Sequence, residues 1–198
     1  MADVDADPEA TSGPAAGQEI ERKFLVDPAA LPDGFSALPH QEVEQGYLAT
    51  EPGGNEVRLR RAGGHYRLTV KSQGGLVRQE CEIELRAEDF AALWPMAQPR
   101  SLRKTRFRVP LSEHRVEVDV YAGALAGLVT AEVEFASLAA SQTFVPPAWL
   151  GREITEDRRY RNECLASCGV PAPASGSQPS PVTEVRHHAA ADGHHQDP

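Results

Sequence analysis

Several absences bound this chain of 198 residues before any motif is read. No apolar run approaches the ~20 residues that a membrane-spanning helix needs, so no transmembrane segment and no membrane partner are expected. The amino terminus, Met1-Ala2-Asp3-Val4-Asp5, is acidic and lacks the basic-then-apolar pattern of a secretory leader, and the expectation is a cytoplasmic protein. Cysteine is scarce. Cys81, Cys164 and Cys168 form an odd set whose spacing specifies no disulfide framework. Cys164 and Cys168 lie one helical turn apart, but no further ligand pair sits at zinc spacing, so buried structural thiols are expected instead. Nothing suggests a net basic surface either, the formal charge being −9, and no nucleic-acid partner is expected.

That charge is unevenly spread. Residues 1–18 carry Asp3, Asp5, Asp7 and Glu9 without one base, in a stretch rich in Ala, Gly and Pro. Residues 171–198 are rich in Pro, Ser and Ala and then in His (His187, His188, His194, His195). Neither composition builds a core. Both are predicted to be disordered tails, and no function is assigned to the histidines. The domain between them, residues 19–170, is nearly balanced in charge and dense in both signs.

Strands dominate that domain. Glu19 to Val26 reads as the first and Glu42 to Ala49 as the second. Glu56 to Arg61 and His65 to Lys71 form a hairpin around Gly63-Gly64. Val77 to Leu85 follows, then Arg103 to Val109 paired with Arg115 to Tyr121, then Thr130 to Phe135. Short helices are predicted over Ala87 to Leu93, with Glu88 and Asp89 in the first turn where the dipole favours acids, over Ser137 to Gln142, and over Arg159 to Cys168. The fold class is mainly β (α+β): about eight antiparallel strands, curved or closed into a barrel, with a few short peripheral helices.

Each strand splits into two faces. One is apolar: Val57/Leu59, Leu68/Val70, Cys81/Ile83/Leu85, Phe107/Val109, Val116/Val118/Val120, Ala131/Val133/Phe135. The other is charged, and its signs segregate by strand. Bases stand at Arg58/Arg60, Arg67/Lys71 and Lys104/Arg106/Arg108; acids stand at Glu80/Glu82/Glu84, Glu117/Asp119 and Glu132/Glu134. In Glu19-Ile20-Glu21-Arg22-Lys23 two carboxylates and an ammonium share one face at steps of ~6.5–7 Å. Periodicity allows two arrangements, a solvated charged exterior or a charged interior. The second suits a polyphosphate with a divalent cation, because Arg and Lys hold phosphate oxygens and carboxylates hold Mg²⁺ or Mn²⁺ at a few positions.

The ordered series Glu19-Ile20-Glu21-Arg22-Lys23, Gln45-Gly46-Tyr47-Leu48, Arg58-Leu59-Arg60, Thr69-Val70-Lys71-Ser72, Arg78-Gln79-Glu80, Lys104-Thr105-Arg106, Glu117-Val118-Asp119, Glu132-Val133-Glu134-Phe135 and Thr155-Glu156-Asp157-Arg158-Arg159-Tyr160 resembles the CYTH superfamily, the triphosphate tunnel metalloenzymes. It is most similar to their small bacterial tripolyphosphatase-like members. The resemblance implies an eight-stranded antiparallel closed barrel whose lumen is a charged tunnel, and it selects the interior arrangement. It further implies metal-dependent hydrolysis of a triphosphate, with inorganic tripolyphosphate favoured over thiamine triphosphate, over cyclisation of ATP, and over a binding module without turnover. Arg58, Arg60, Lys71, Arg78, Lys104, Arg106 and Arg158 are expected to grip the substrate, Arg158 standing where relatives often carry Lys. Glu132 and Glu134 are expected to hold Mg²⁺ or Mn²⁺, and Glu80 and Asp119 to serve a second ion. Glu19, Glu21, Lys23 and Glu82 are the expected catalytic groups, one of the carboxylates orienting the attacking water. A homodimer is compatible with this reading.

Overall fold

The computed structural model describes residues 18–52, 54–72, 77–112 and 114–172, without the side chains of Gln18, Glu19, Val77 and Arg78. The histidine tract and nearly all of both predicted tails lie outside the described residues. Among the described residues nine strands and three helices follow in the order β1 (Gln18–Leu25), β2 (His40–Thr50), β3 (Glu56–Ala62), β4 (His65–Lys71), β5 (Val77–Leu85), α1 (Ala87–Ala97), β6 (Ser101–Leu111), β7 (His114–Tyr121), β8 (Val129–Glu134), α2 (Leu138–Thr143), β9 (Arg152–Glu153) and α3 (Asn162–Cys168), joined in places by short 3-10 turns.

The sheet runs β5-β4-β3-β2-β6-β7-β8-β1-β9, and every pairing is antiparallel. Strand β1 divides its pairing. Glu21–Leu25 run along β8, whereas Gln18–Ile20 reach across to Val77–Gln79 of β5. The eight long strands therefore come round in a ring whose last seam is three residue pairs long. Beyond Gln79, β5 has no ladder partner on that side among the described residues. The expected closed barrel is thus closed along only part of one seam. The two-residue β9, which no sequence signal announced, pairs with Phe24 and Leu25 instead.

Local chemistry accounts for the elements. Gly63 and Gly64 both take positive φ (56° and 84°), the two-residue turn that matches strand twist in a hairpin. Helix α1 runs past its predicted end at Leu93 and through Pro95, which has no N–H to give to the helix. It continues because Ala97 docks on β2: a Cβ on Gly46 would lie 2.8 Å from the Ala97 carbonyl oxygen, so only glycine permits that approach. Ser137 caps α2 by accepting from the Ala140 N–H. The helix predicted over Arg159 to Cys168 is broken. Arg158–Tyr160 form a 3-10 turn capped by Asp157, Arg161 is extended (ψ 142°), and α3 starts only at Asn162.

The hydrophobic core lies outside the barrel wall. Phe24, Val116, Val118, Ala131 and Val133 are fully buried on the outer face of β1, β7 and β8, under Phe35, Leu38, Phe144 and Leu150. Leu59, Phe90 and Ala97 pack α1 against β2–β4. Leu102, Tyr121, Leu125, Ile154, Tyr160 and Leu165 seal one end with α3. Arg22, also outward-facing, ties this shell to β1: it donates to both carboxylate oxygens of Glu153 and to the Ser141 and Phe144 carbonyls. One outer region stays bare. Val70 (43% exposed), Ile83 (53%) and Cys81 face solvent on β4 and β5. The expected buried thiols are accordingly corrected: among the described residues no helix covers Cys81, and Cys168 ends α3 at the surface, whereas Cys164 is half-buried.

Candidate active site

With the apolar faces turned outward, the charged faces enclose a cavity of about 930 Å³. Its wall takes Glu21 and Lys23 from β1, Gln41, Val43 and Gln45 from β2, Glu56, Arg58 and Arg60 from β3, Arg67 and Lys71 from β4, Glu80 and Glu82 from β5, Lys104, Arg106 and Arg108 from β6, Glu117 from β7, and Glu132 and Glu134 from β8. Lys23, Glu56, Arg58, Lys71 and Lys104 are buried, a placement that charged side chains adopt only when paired or when awaiting a ligand.

Pairing is dense and has two centres. On the β6–β8 side, Arg106 donates from Nε and Nη2 to the two oxygens of Asp119 (2.7 Å each), from Nη2 to Glu132 Oε2 (2.8 Å), and from Nη1 to Glu117. Lys104 Nζ reaches Asp119 Oδ2 at 2.5 Å, and Lys23 Nζ reaches Glu132 Oε1 at 2.9 Å. On the β3–β5 side, Glu80 receives Lys71 at 2.6 Å and Arg58 at 3.8 Å. Glu82 receives Arg60, Arg67 and the Thr69 hydroxyl. Below these, Gln45 donates to the Tyr47 hydroxyl, and Tyr121 donates to Asn162 Oδ1, fixing the start of α3 under the lumen.

The electrostatics follow from these contacts. Burial alone would raise Glu132, but Lys23 and then Arg106 hold it well below the usual carboxylate range. Arg106 and Lys104 likewise overcome burial to depress Asp119. Burial would lower Lys23, yet Glu132 carries it above its ordinary value. Lys104 behaves oppositely: burial and the adjacent Arg106 pull it down to about 8 despite Asp119. Glu21 is raised by burial and by the Glu132 carboxylate, and Glu134 by burial and Glu117. The Glu21 side chain makes no hydrogen bond or ion pair among the described residues.

The structure brings most of the predicted site residues together. Glu21, Lys23, Arg58, Arg60, Lys71, Glu80, Glu82, Lys104, Arg106, Glu132 and Glu134 all line the one cavity. Glu19 and Arg78 stand opposite each other in the β1–β5 seam, and their side chains lie outside the described residues. Asp119 sits behind the cavity surface, fully buried between Lys104 and Arg106. Glu134 is exposed at one mouth. Arg158 does not line the cavity; it donates to the Pro52 carbonyl at 2.7 Å. The break before α3 instead turns Arg161, Asn162 and Glu163 to the lumen. Sequence reasoning missed these three, together with Gln45 and Glu56. Glu56 was visible by strand parity with Arg58 and Arg60; Arg161 was not, because a continuous helix was expected there. Among the described residues no three acidic, His or Cys side chains already form a metal-enclosing cluster, since Glu132 and Glu117 are turned to their cations.

A barrel that keeps its apolar core outside the wall and its charges in the lumen is a charged-tunnel protein. The chain belongs to the CYTH family, whose domain matches residues 17–162. It is 49% identical over 150 residues to an inorganic triphosphatase of Nitrosomonas europaea, covering 75% of this chain and 96% of that one. It is 34% identical over 152 residues to an inorganic triphosphatase of Acetivibrio thermocellus, covering 75% and 93%. A crystal structure of an inorganic triphosphatase matches with a TM-score of 0.57 at 45% identity, covering 75% of this chain and 94% of that one.

Proposed function

We propose that this protein hydrolyses a linear inorganic triphosphate in its lumen, using Mg²⁺ or Mn²⁺. The observation that carries the reading is a cavity with buried Arg58, Lys71 and Lys104 facing a carboxylate group that includes the unpartnered Glu21. The donor set fits a hard cation. Glu21 stands opposite Glu134 in the β1–β8 register, with Glu132 beside them, and all three offer carboxylate oxygens. Burial raises Glu21 first and the Glu132 carboxylate adds to it, and a divalent cation beside them would relieve the repulsion. Glu132 and Glu134 would hold the ion, which when bound supplies charge neutralisation at the transferred phosphoryl group.

The chain's own residues do the rest. Arg58, Arg60, Lys71 and Lys104 bind phosphate oxygens, the arginines as planar forks and the lysines as point charges. Lys23 offsets Glu132 and supports the charge that builds on the leaving phosphates. Water attacks the terminal phosphorus in line, the bridging P–O bond breaks, and the cations retain the pyrophosphate product. Glu82 is a poor base for that water, because Arg60, Arg67 and Thr69 already occupy its oxygens. Glu21 is the better one, being unpartnered and raised.

The test offers purified protein tripolyphosphate, pyrophosphate, thiamine triphosphate and ATP, with Mg²⁺ or Mn²⁺ and with chelator. Phosphate release greatest from tripolyphosphate and abolished by chelator is expected. Cyclic AMP as the main product from ATP, or binding without release from any substrate, overturns the proposal.

A further inference from the structure

We infer that residues 13–17, which lie outside the described residues, prolong β1 along the open edge of β5 and close the part of the barrel seam that Gln18–Ile20 leave unzipped. The register sets the place. Gln18 stands opposite Gln79, Glu19 opposite Arg78 and Ile20 opposite Val77. Carried toward the amino terminus, the same antiparallel register sets Gly17 opposite Glu80, Ala16 opposite Cys81, Ala15 opposite Glu82, Pro14 opposite Ile83 and Gly13 opposite Glu84. The chain that precedes Gln18 thus runs out along that edge. Backbone direction decides which groups meet there. The Ile20 carbonyl accepts from the Phe135 N–H and so faces β8. Successive residues of a strand present N–H and C=O to opposite sides, so the odd-numbered residues at this end of β1 face β5. On β5 the Gln79 carbonyl accepts from the Ser72 N–H and faces β4, so the backbone groups of Glu82 and Glu84 face the open edge. They meet no strand there among the described residues. Ala15 and Gly13 bring to Glu82 and Glu84 the N–H and C=O groups that this edge lacks. Pro14 has no N–H to give, and it falls at an even position whose nitrogen points away from β5, the orientation in which an edge strand tolerates proline.

Side-chain parity agrees. Odd positions of β1 line the lumen, as Glu21 and Lys23 do, so Gly17, Ala15 and Gly13 fall on the face of Glu80, Glu82 and Glu84. They are small and uncharged, and they leave undisturbed the bonds that Glu82 accepts from Arg60, Arg67 and Thr69. Even positions put Ala16 and Pro14 on the outer face, beside Cys81 and Ile83, where apolar surface is open to water. A second copy of the chain suits the edge less well. Another β5 paired over the whole stretch from Glu80 to Glu84 would set Glu82 against its own copy and Glu80 against Glu84, like charges directly opposite one another. The consequence for the lumen is a fixed wall. Glu80 and Glu82 receive Lys71, Arg58, Arg60 and Arg67, and pairing by residues 13–17 holds the strand that carries both. The docking needs no ligand, so it stands apart from the proposed reaction.

Amide hydrogen exchange in the full chain, read residue by residue by NMR without substrate or metal, decides it. The amides of Glu82 and Glu84 are measured against that of Ile83, whose N–H turns to β4 and serves as the internal reference. In the full chain Glu82 and Glu84 are expected to exchange at least about tenfold more slowly than in a variant lacking residues 2–16. Two proline substitutions then test the register. Ala15→Pro puts the ring where an N–H should meet Glu82 and is expected to abolish the protection. Ala16→Pro puts it on the side away from β5 and is expected to keep the protection within about threefold of wild type. Equal exchange at Glu82 and Glu84 with and without residues 2–16 overturns the inference, as do equal effects of Ala15→Pro and Ala16→Pro. Protection that grows with protein concentration alongside a sedimenting dimer overturns it in favour of a second copy on the edge.

Discussion

Strands β6–β8 and strands β3–β5 are written in the same alternating pattern, yet the fold gives them opposite surroundings. Behind β7 and β8 the apolar residues are sealed, with Val116, Val118, Ala131 and Val133 at 0% exposure. In front of them Arg106, Asp119, Glu132, Lys23 and Lys104 form one interlocked ionic cluster. Behind β4 and β5, Val70 and Ile83 are open to water. In front of them the pairs Arg60–Glu82 and Arg67–Glu82 are partly exposed. A buried, fully paired cluster is held in one geometry, because breaking it strands a charge. Exposed pairs cost little to rearrange. On the proposed function, the carboxylates of the rigid side would meet the cation, and Arg60 and Arg67 on the other side would be free to follow a polyanion of varying position.

The comparison can be broken at its strongest point first. Phe24→Ala, at 0% exposure behind β1, should cost about 3–5 kcal/mol by cavity formation, read as a lowered midpoint of chemical denaturation; a loss below about 1 kcal/mol would mean that the outer shell does not brace the site. Glu132→Gln should lower metal-dependent turnover by about 10²–10³-fold, the scale of losing a preorganised charge, with Mn²⁺ affinity falling in parallel. Full activity would remove Glu132 from the site.

Arg60→Ala tests the exchangeable side. It should raise KM for tripolyphosphate by about tenfold, one phosphate contact being worth about 1.4 kcal/mol, and leave the denaturation midpoint within about 0.5 kcal/mol of wild type. A large stability loss would show that Arg60 is as locked as Arg106. A smaller effect comes from Lys104. Its ammonium, held down to about 8, is charged below that pH and neutral above it. KM should therefore rise a few-fold as pH climbs through about 8, and Lys104→Arg, charged throughout, should flatten that limb. The least effect is expected at Ile83→Ser on the bare outer face, within about 0.5 kcal/mol of wild type. A loss comparable to that of Phe24→Ala would reveal a partner covering β4 and β5.

Much of this was legible in the chain. Alternation placed Arg58 with Arg60 and Glu132 with Glu134, and the Gly63-Gly64 turn set the hairpin register that puts Arg60 across from Arg67. Strand ends were read short, as at β6, which gains Ser101 and Leu102 at one end and Pro110 and Leu111 at the other, because end residues of mixed polarity give no periodic signal. The carboxylate partners of Arg106 were not legible: a guanidinium looks the same in sequence whether or not Asp119, Glu117 and Glu132 from neighbouring strands surround it. Arg158 and Arg161 exchanged places because a backbone break at one residue rotates everything after it.

By itself the sequence determined the order of strands, their two chemically distinct faces and the ordered series of charged motifs, since a two-residue period and turn chemistry are local properties. Only the tertiary structure decided which face became the lumen, how β1 divides itself between β8 and β5, and which cations are spent on carboxylates. Those depend on pairings between strands far apart in the chain, β1 with β8 and β2 with β6, and on the curvature they impose. The alternation of a single strand is the same whichever way the sheet bends.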